Sequence, residues 1–531
     1  MKNSLEIYDY IVVGAGSAGC AVAARLSEVE SKSVLVLEAG VPDSVQEIHV
    51  PAAFPYLFKS GVDWDYMTVP QKGLNGRQEY NPRGKTLGGS SSINAMIFMR
   101  GNPNDYDRWA AMGNKGWSYN ELKPLFKKTQ NQERGESEHH GIGGPINTAD
   151  LRDPNPLSHA FVEAAQQAGY KHNADFNDGD QVGFGLYQVT QKGGMRCSAA
   201  VGYLHPALQR PNLTAITNAL ATELIIENGR CVGLKYLHDG ETKEVRATQE
   251  VILSGGSFNS PHLLMLSGIG PAEHLKEHGI AVKVDVPGVG QNLQDHMFVP
   301  VAFHCTQPVS LAGATAPEQA ERFQKEQMGL LTSNVGEAGG FVDLGEDGSP
   351  EIQFHFGPTW FIHHGAVNPG GDGYTLLPGL VRPKSKGTVK LASANPTEKP
   401  LVDPNYLSDP YDMEVLKKSV AIAFDIAKQA AFDPFRGEPY LPAPGVQSNG
   451  ELENYIRDYA MTIYHPVGTC KMGTDDDPMA VVNNHLQVRG VAGLRVADAS
   501  IMPIIINGNS NIPSMVIGEK CAEAILSSLH N

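Results

Sequence analysis

No run of about 18 apolar residues occurs anywhere in this sequence, so it has no stretch of the length a membrane-spanning helix needs. A secretory signal is not expected either, since MKNSLEIYDY passes straight into an apolar strand pattern. Cys-X-X-Cys pairs are absent. The six cysteines, Cys20, Cys197, Cys231, Cys305, Cys470 and Cys521, are dispersed, a usage that fits reduced thiols and offers no metal site. His363-His364 has no further ligands at a useful spacing and reads as a loop pair, so no metal is expected. Basic charge is scarce: a net charge of −16 excludes a nucleic-acid partner and is put down to solubility. The 57 glycines and 35 prolines are scattered and form no low-complexity tract. What these absences leave is a cytoplasmic globular enzyme, with peripheral contact to a membrane left open. At 531 residues it is too long for one core, and the length suggests about two to four domains.

What is present begins at Tyr10. Residues 10–40 read YIVVGAGSAGCAVAARLSEVESKSVLVLEAG. The run Ile11, Val12, Val13 predicts a strand, a helix follows through Arg25, and Val34–Leu37 predicts a second strand ending on Glu38 and Ala39. Gly14 permits the tight strand-to-helix turn. Gly16 lets a pyrophosphate come close to bare backbone, and Gly19 lets the helix pack on the sheet. The helix N-terminus at Ser17 and Ala18 offers free N–H groups and a positive dipole end to phosphates. Glu38, about 20 residues on, can accept hydrogen bonds from a ribose hydroxyl. The unit predicts a dinucleotide site and by itself leaves NAD and FAD both open.

Farther along, Gly88-Gly89-Ser90-Ser91-Ser92 presents N–H groups and hydroxyls suited to an anion, or is an ordinary turn. Helices are expected over 158–169, over 260–267 with Ser260 as N-cap and Pro261 at the first position, over 412–430 and over 512–526. Short strands are expected at 213–217, 223–227, 231–238, 251–253, 351–356, 388–391 and from 494. The texture changes near 299, where alternating apolar segments suggest an α+β unit. The last stretch returns to small residues. The expected partition is therefore a discontinuous nucleotide domain over 5–155, 190–300 and 455–531, with a substrate domain over 156–189 and 301–454.

Seven pieces in order, GAGSAG with Glu38, GKTLGGSSSIN, GSFNSPHLLMLSGIG, PGVGQNLQDH, YHPVGTCKMG, LRVADASIMP and NIPSMVIGEK, resemble the glucose–methanol–choline (GMC) oxidoreductase family and span essentially the whole chain. The resemblance implies an α/β FAD-binding Rossmann-like domain beside an α+β substrate domain with a six-stranded antiparallel sheet. It implies that Gly14, Gly16, Ser17, Ala18, Gly19, Glu38 and Ala39 hold the ADP part of FAD. Gly88, Ser92, Asn94, Ala95 and Met96 would follow the pyrophosphate and flavin. Ala221 would meet adenine, Asp498 and Ala499 the pyrophosphate, and Asn511, Ile512 and Pro513 the flavin ring. Choline oxidase has a histidine bonded to FAD where this chain has Ile93, so non-covalent FAD is expected.

The resemblance also puts the catalytic pair at His465 and Asn511. Oxidising an alcohol requires removal of a hydroxyl proton and of a hydride. A neutral imidazole can take the proton, and an amide can donate a hydrogen bond to the same oxygen. Glu337 matches the position of a carboxylate facing substrate in choline oxidase, or is a buried glutamate satisfied by backbone donors. Trp64, Tyr464, Trp360 and Phe361 could offer cation–π attraction to a quaternary amine. Glu337, Tyr464 and Trp64 are the substrate candidates. The partners expected are a small alcohol and an electron acceptor, whether quinone, carrier or oxygen, with a homodimer open as the assembly. Ala95 and Ile463 replace residues of choline oxidase and favour a choline-dehydrogenase-like enzyme over an oxygen-using alcohol oxidase. A lyase, a light-driven decarboxylase and an FAD-binding module without catalysis are the alternatives.

Overall fold

The computed structural model describes residues 6–345, 348–443 and 448–528. Its first sheet grows from strand Glu6–Val13, whose last four residues, Tyr10 to Val13, are buried on both faces as a parallel strand requires. Val34–Leu37 pairs with it in parallel on one side and Glu241–Leu253 on the other. Leu213–Ile216 extends the first side. Leu494–Val496 joins Glu241–Leu253 in parallel, and an antiparallel meander of Leu220–Glu227 and Arg230–His238 completes seven strands. The helix Ser17–Leu26 covers this sheet and is itself covered by the last helix, Asn511–Ser528. A Cβ on Gly518 would stand 2.4 Å from the Ala18 carbonyl, so only glycine allows that approach. Chain ends far apart in sequence thus share one core.

The second sheet has eight strands. Six form one antiparallel path: Arg436–Leu441, Val301–Cys305, Gly373–Leu380, Ile352–Gly357, Ala338–Val342 and Gly183–Leu186. Met297–Phe298 and Met461–Thr462 pair beside it, so this sheet extends past both ends of the expected 301–454 segment. Helices Pro156–Gln167 and Pro410–Ala427 pack on it around a second core. A smaller apolar cluster, including Phe54, Ile93, Phe298, Leu377 and Ile463, lies where the sheets meet.

One helix starts earlier than its sequence suggests. It runs Gly256–Leu266 with Gly255 as N-cap, which places Ser260 and Pro261 inside it. The Ser260 hydroxyl is drawn away from a capping role by Asp498, to which it donates. Among the described residues no helix is long and apolar enough to cross a membrane, and all six cysteines are free.

Candidate active site

A continuous cavity of about 310 Å³ runs between the two sheets, from Glu38 and Ala221 at one end to His465 and Asn509 at the other. Gly14, Gly16, Ser17, Ala18 and Ala39 line its first end, Asn94, Ala95 and Met96 its middle, and Asp498, Ala499 and Asn511 also reach its wall. Gly19, Gly88, Ser92, Ile512 and Pro513 do not line it. Gly19 and Gly88 serve packing: a Cβ on Gly19 would overlap the Gly14 carbonyl at 1.9 Å, and one on Gly88 would meet the Ser92 hydroxyl at 2.2 Å. Ser92 donates to the Leu87 carbonyl. The two glycine loops touch, since the Gly88 N–H donates to Ala15 and a Cβ on Gly89 would lie 2.7 Å from the Gly16 Cα.

These walls suit a dinucleotide. Helix Ser17–Leu26 has Gly16 as N-cap and no capping side chain, so its first N–H groups remain available to phosphate oxygens. A Cβ on Gly16 would meet nothing nearer than the Ser254 carbonyl at 3.9 Å, which marks open cavity beside the bare backbone. Glu38 accepts from Ala15 N–H at 2.9 Å and Gly40 N–H at 2.8 Å, and burial pushes its carboxyl up to about 7. Asp498 is spent on structure. It accepts from the Gly256 and Ser500 N–H groups and the Ser260 hydroxyl, which fixes the turn at the cavity wall.

At the other end the geometry replaces one expected partner. Asn511 accepts from the Ser17 hydroxyl at 2.7 Å, at the start of the last helix, and has no hydrogen bond to His465 among the described residues. Asn509 has one, with its Nδ2 3.2 Å from His465 Nε2. The two amides lie in one Asn-Ser-Asn turn, and helix initiation at Asn511 turns the second toward the first helix.

A chain of single-choice hydrogen bonds sets the His465 tautomer. The Phe354 carbonyl can only accept, so the Tyr187 hydroxyl donates to it at 2.6 Å. Tyr187 must then accept from the Gln353 amide at 3.2 Å, which also donates to Asn509 Oδ1 at 3.1 Å. Asn509 therefore turns its NH₂ to His465, whose Nε2 must carry a lone pair. The proton resides on Nδ1 and is donated to His296 Nδ1 at 3.0 Å.

Burial, with His296, His355 and Arg83 nearby, holds the His465 imidazole well below its usual pKa. It is neutral at neutral pH and able to accept a proton. Its backbone is tied down too: the His465 N–H donates to Asp295 at 2.9 Å, and Tyr464, at a positive φ of 70°, donates its N–H to Thr462. Asp295 also accepts from Thr462 and Tyr406, both at 2.6 Å.

Sequence reasoning missed three residues here: Asn509, Gln353 and His355. His355 lines the cavity with both ring nitrogens lacking a hydrogen-bond partner, and burial pushes it down to about 3. The signal was Gln353 and His355 alternating with Phe354 and Phe356 on one strand, with the phenylalanines in the second core.

Of the substrate candidates, Trp64 and Tyr464 line the cavity and Glu337 does not. Glu337 accepts from the Asn155 N–H and the Ser158 hydroxyl, each at 2.7 Å, and from the Ser333 hydroxyl. It anchors the start of helix Pro156–Gln167 to the second sheet, with its carboxyl raised by burial. Trp360 also lies outside the cavity wall, and Phe361 lies on it. His364 is bound by the Tyr464 hydroxyl at 2.8 Å and Glu79 at 3.1 Å. No cluster of three or more metal-ligating side chains occurs among the described residues.

Comparison with known proteins gives one family. The GMC oxidoreductase profile matches residues 8–298 and again 383–518. An alcohol dehydrogenase (acceptor) of Pseudomonas putida is 46% identical, covering 98% of this chain and 96% of its own length. The mitochondrial choline dehydrogenase of Homo sapiens is 44% identical, over 99% of this chain and 90% of its own. The crystal structure of pyridoxine 4-oxidase from Mesorbium loti superposes with a TM-score of 0.90 at 31% identity, covering 99% of each chain. A formate oxidase from Aspergillus oryzae RIB40 gives a TM-score of 0.92 at 30% identity, covering 98% of each.

Proposed function

Because the chain belongs to the GMC oxidoreductase family, whose members bind FAD, we propose that it oxidises a primary alcohol to an aldehyde with His465 as base and Asn509 as its partner. Bound FAD supplies the acceptor for the hydride that leaves the carbinol carbon. One observation carries the reading: at the cavity wall the unprotonated Nε2 of His465 meets the NH₂ of Asn509 at 3.2 Å, so an acceptor and a donor stand together where an alcohol hydroxyl can come between them. The alcohol proton passes to Nε2 while the Asn509 N–H stabilises the oxygen as charge builds on it. The imidazolium formed faces the oxygen it has just deprotonated, and the opposing charges hold the pair in place.

FAD is held by the Gly14–Ala18 turn, Glu38, Ala39, Ala221, the 94–96 loop and the 498–499 turn, with Asn511 bracing Ser17. Attachment is non-covalent, because Ile93 carries no nucleophile and packs in the apolar cluster between the sheets. Acid precipitation should release the yellow colour into the supernatant; colour that stays with the protein overturns this. Electrons leave to a carrier or quinone, in keeping with Ala95 and Ile463 at the reacting end. The dispersed thiols support a reducing compartment. The chain divides into a nucleotide unit and a substrate unit whose boundaries include 297–298 and 461–462 in the latter.

His465→Ala tests the central claim. Anaerobic mixing with a substrate alcohol should bleach the flavin about 10²–10⁴-fold more slowly than in the parent enzyme. An unchanged rate removes His465 from the role of base.

A further inference from the structure

We infer that the alcohol admitted here is uncharged and apolar, and that a quaternary-ammonium alcohol such as choline is rejected. The inference rests on the alcohol-oxidising reading above.

A cationic substrate that gives up its hydration is held best by a compensating anion, and the reacting end has none to offer. The carboxylates on the cavity wall are Glu38, Glu398 and Asp498. Glu38 and Asp498 belong to the dinucleotide end and already accept backbone N–H groups. Glu398 sits on an exposed loop and accepts from Ser393. Glu337 is walled off behind three donors of its own.

The charge that does reach the reacting end is positive. Arg83 lines the cavity and donates to the Pro82 and Tyr464 carbonyls, and it forms no ion pair among the described residues. Asp63 and Asp295 are the acids nearest it, and neither is on the cavity wall. Asp63 accepts from Tyr80 and the Lys59, Asp65 and Arg83 N–H groups; Asp295 is taken up by Thr462, Tyr406 and His465.

The indole face on this wall is also taken by a cation. Lys85 lies 4.8 Å over the Trp64 ring. Tyr66 stacks on Trp64, with ring centroids 5.8 Å apart. Much of the remaining wall is apolar, with Phe54, Phe58, Ile93, Phe298, Leu377 and Ile463, and its rings pack on one another: Phe58 lies edge-on to Phe54 at 5.7 Å and to Tyr464 at 5.6 Å. A trimethylammonium head placed there loses its hydration, meets no carboxylate and shares the site with a guanidinium. An alkyl group gains from each buried methylene.

The test is a pair of alcohols of the same shape, choline and 3,3-dimethylbutan-1-ol, mixed anaerobically with the holoenzyme beside a series of straight-chain primary alcohols. The neutral isostere should reduce the flavin with a kcat/KM at least about 10²-fold above that of choline, the scale of an uncompensated buried charge. Lengthening the straight chain should raise kcat/KM by up to about fourfold per methylene until the pocket is filled. Choline equal to or better than its isostere overturns the inference while leaving alcohol oxidation intact. If dithionite bleaches the flavin and no alcohol of the set does, the alcohol-oxidising reading falls and takes this inference with it.

Discussion

The proposed base, His465, serves only if the nitrogen facing the substrate carries the lone pair, and a backbone carbonyl three side chains away determines that. Gln353→Glu breaks the relay at its one obligatory donor. A carboxylate cannot donate to Asn509 Oδ1, so the Asn509 amide loses its preferred orientation, and His465 Nε2 can be met by a carbonyl that demands a proton there. The reductive half-reaction should slow by about 10²–10⁴-fold, as expected when a catalytic imidazole is held in the wrong tautomer. Stopped-flow bleaching at several pH values checks this, and an unaltered rate and pH profile would dissolve the relay. His465 was legible in its sequence because Tyr-His-Pro-Val-Gly is a local string. Its partner was not. Asn509 and Asn511 are chemically identical, two residues apart, and separated in role only by where the final helix begins. Gln353 and His355 come from a strand more than a hundred residues away, brought alongside by the second sheet.

Among the elements, the first βαβ unit was fully readable, since glycine spacing, strand and helix all lie within one short stretch. The helix over Gly256–Leu266 was misread at its start because Ser260 and Pro261 imitate an N-terminus. Tertiary pairing of Ser260 with Asp498 overrides that local signal. Glu337 shows the same override for a functional role. Its three donors come from Asn155, Ser158 and Ser333, so it joins the entry of helix Pro156–Gln167 to strand Ala338–Val342. Glu337→Ala leaves those donors buried without an acceptor, at about 1–3 kcal/mol for each that water cannot reach. A drop in thermal midpoint with an unchanged preference among alcohols is expected. A changed preference with an unchanged midpoint would return Glu337 to the substrate pocket.

For the whole molecule, the interior holds several histidines in neutral form. His296 and His355 are pushed down to about 3 and His262 to about 4, all by burial first, and His465 is lowered as well. Each has a folded pKa below its unfolded value of about 6.5, so the unfolded chain binds more protons as pH falls. Stability from this source is intact above about pH 6.5 and declines on acidification, by up to about 1.4 kcal/mol per pH unit for each histidine. Glu38, raised to about 7, opposes it by one proton. Denaturant melts of His262→Gln should therefore show a shallower loss between about pH 6.5 and 4 than the parent protein. Parallel slopes would mean that His262 is not buried neutral in solution.

The pairing of Leu494–Val496 with Glu241–Leu253, and the seating of Gly518 on the Ala18 carbonyl, also bear on biogenesis. The Ser17–Leu26 helix meets its cover across a sequence separation of 494 residues at the Ser17–Asn511 hydrogen bond, so one flank stays bare until that long loop closes. Contacts of such separation are slow to form, and the interval before this one closes is when the exposed flank most needs shielding from self-association.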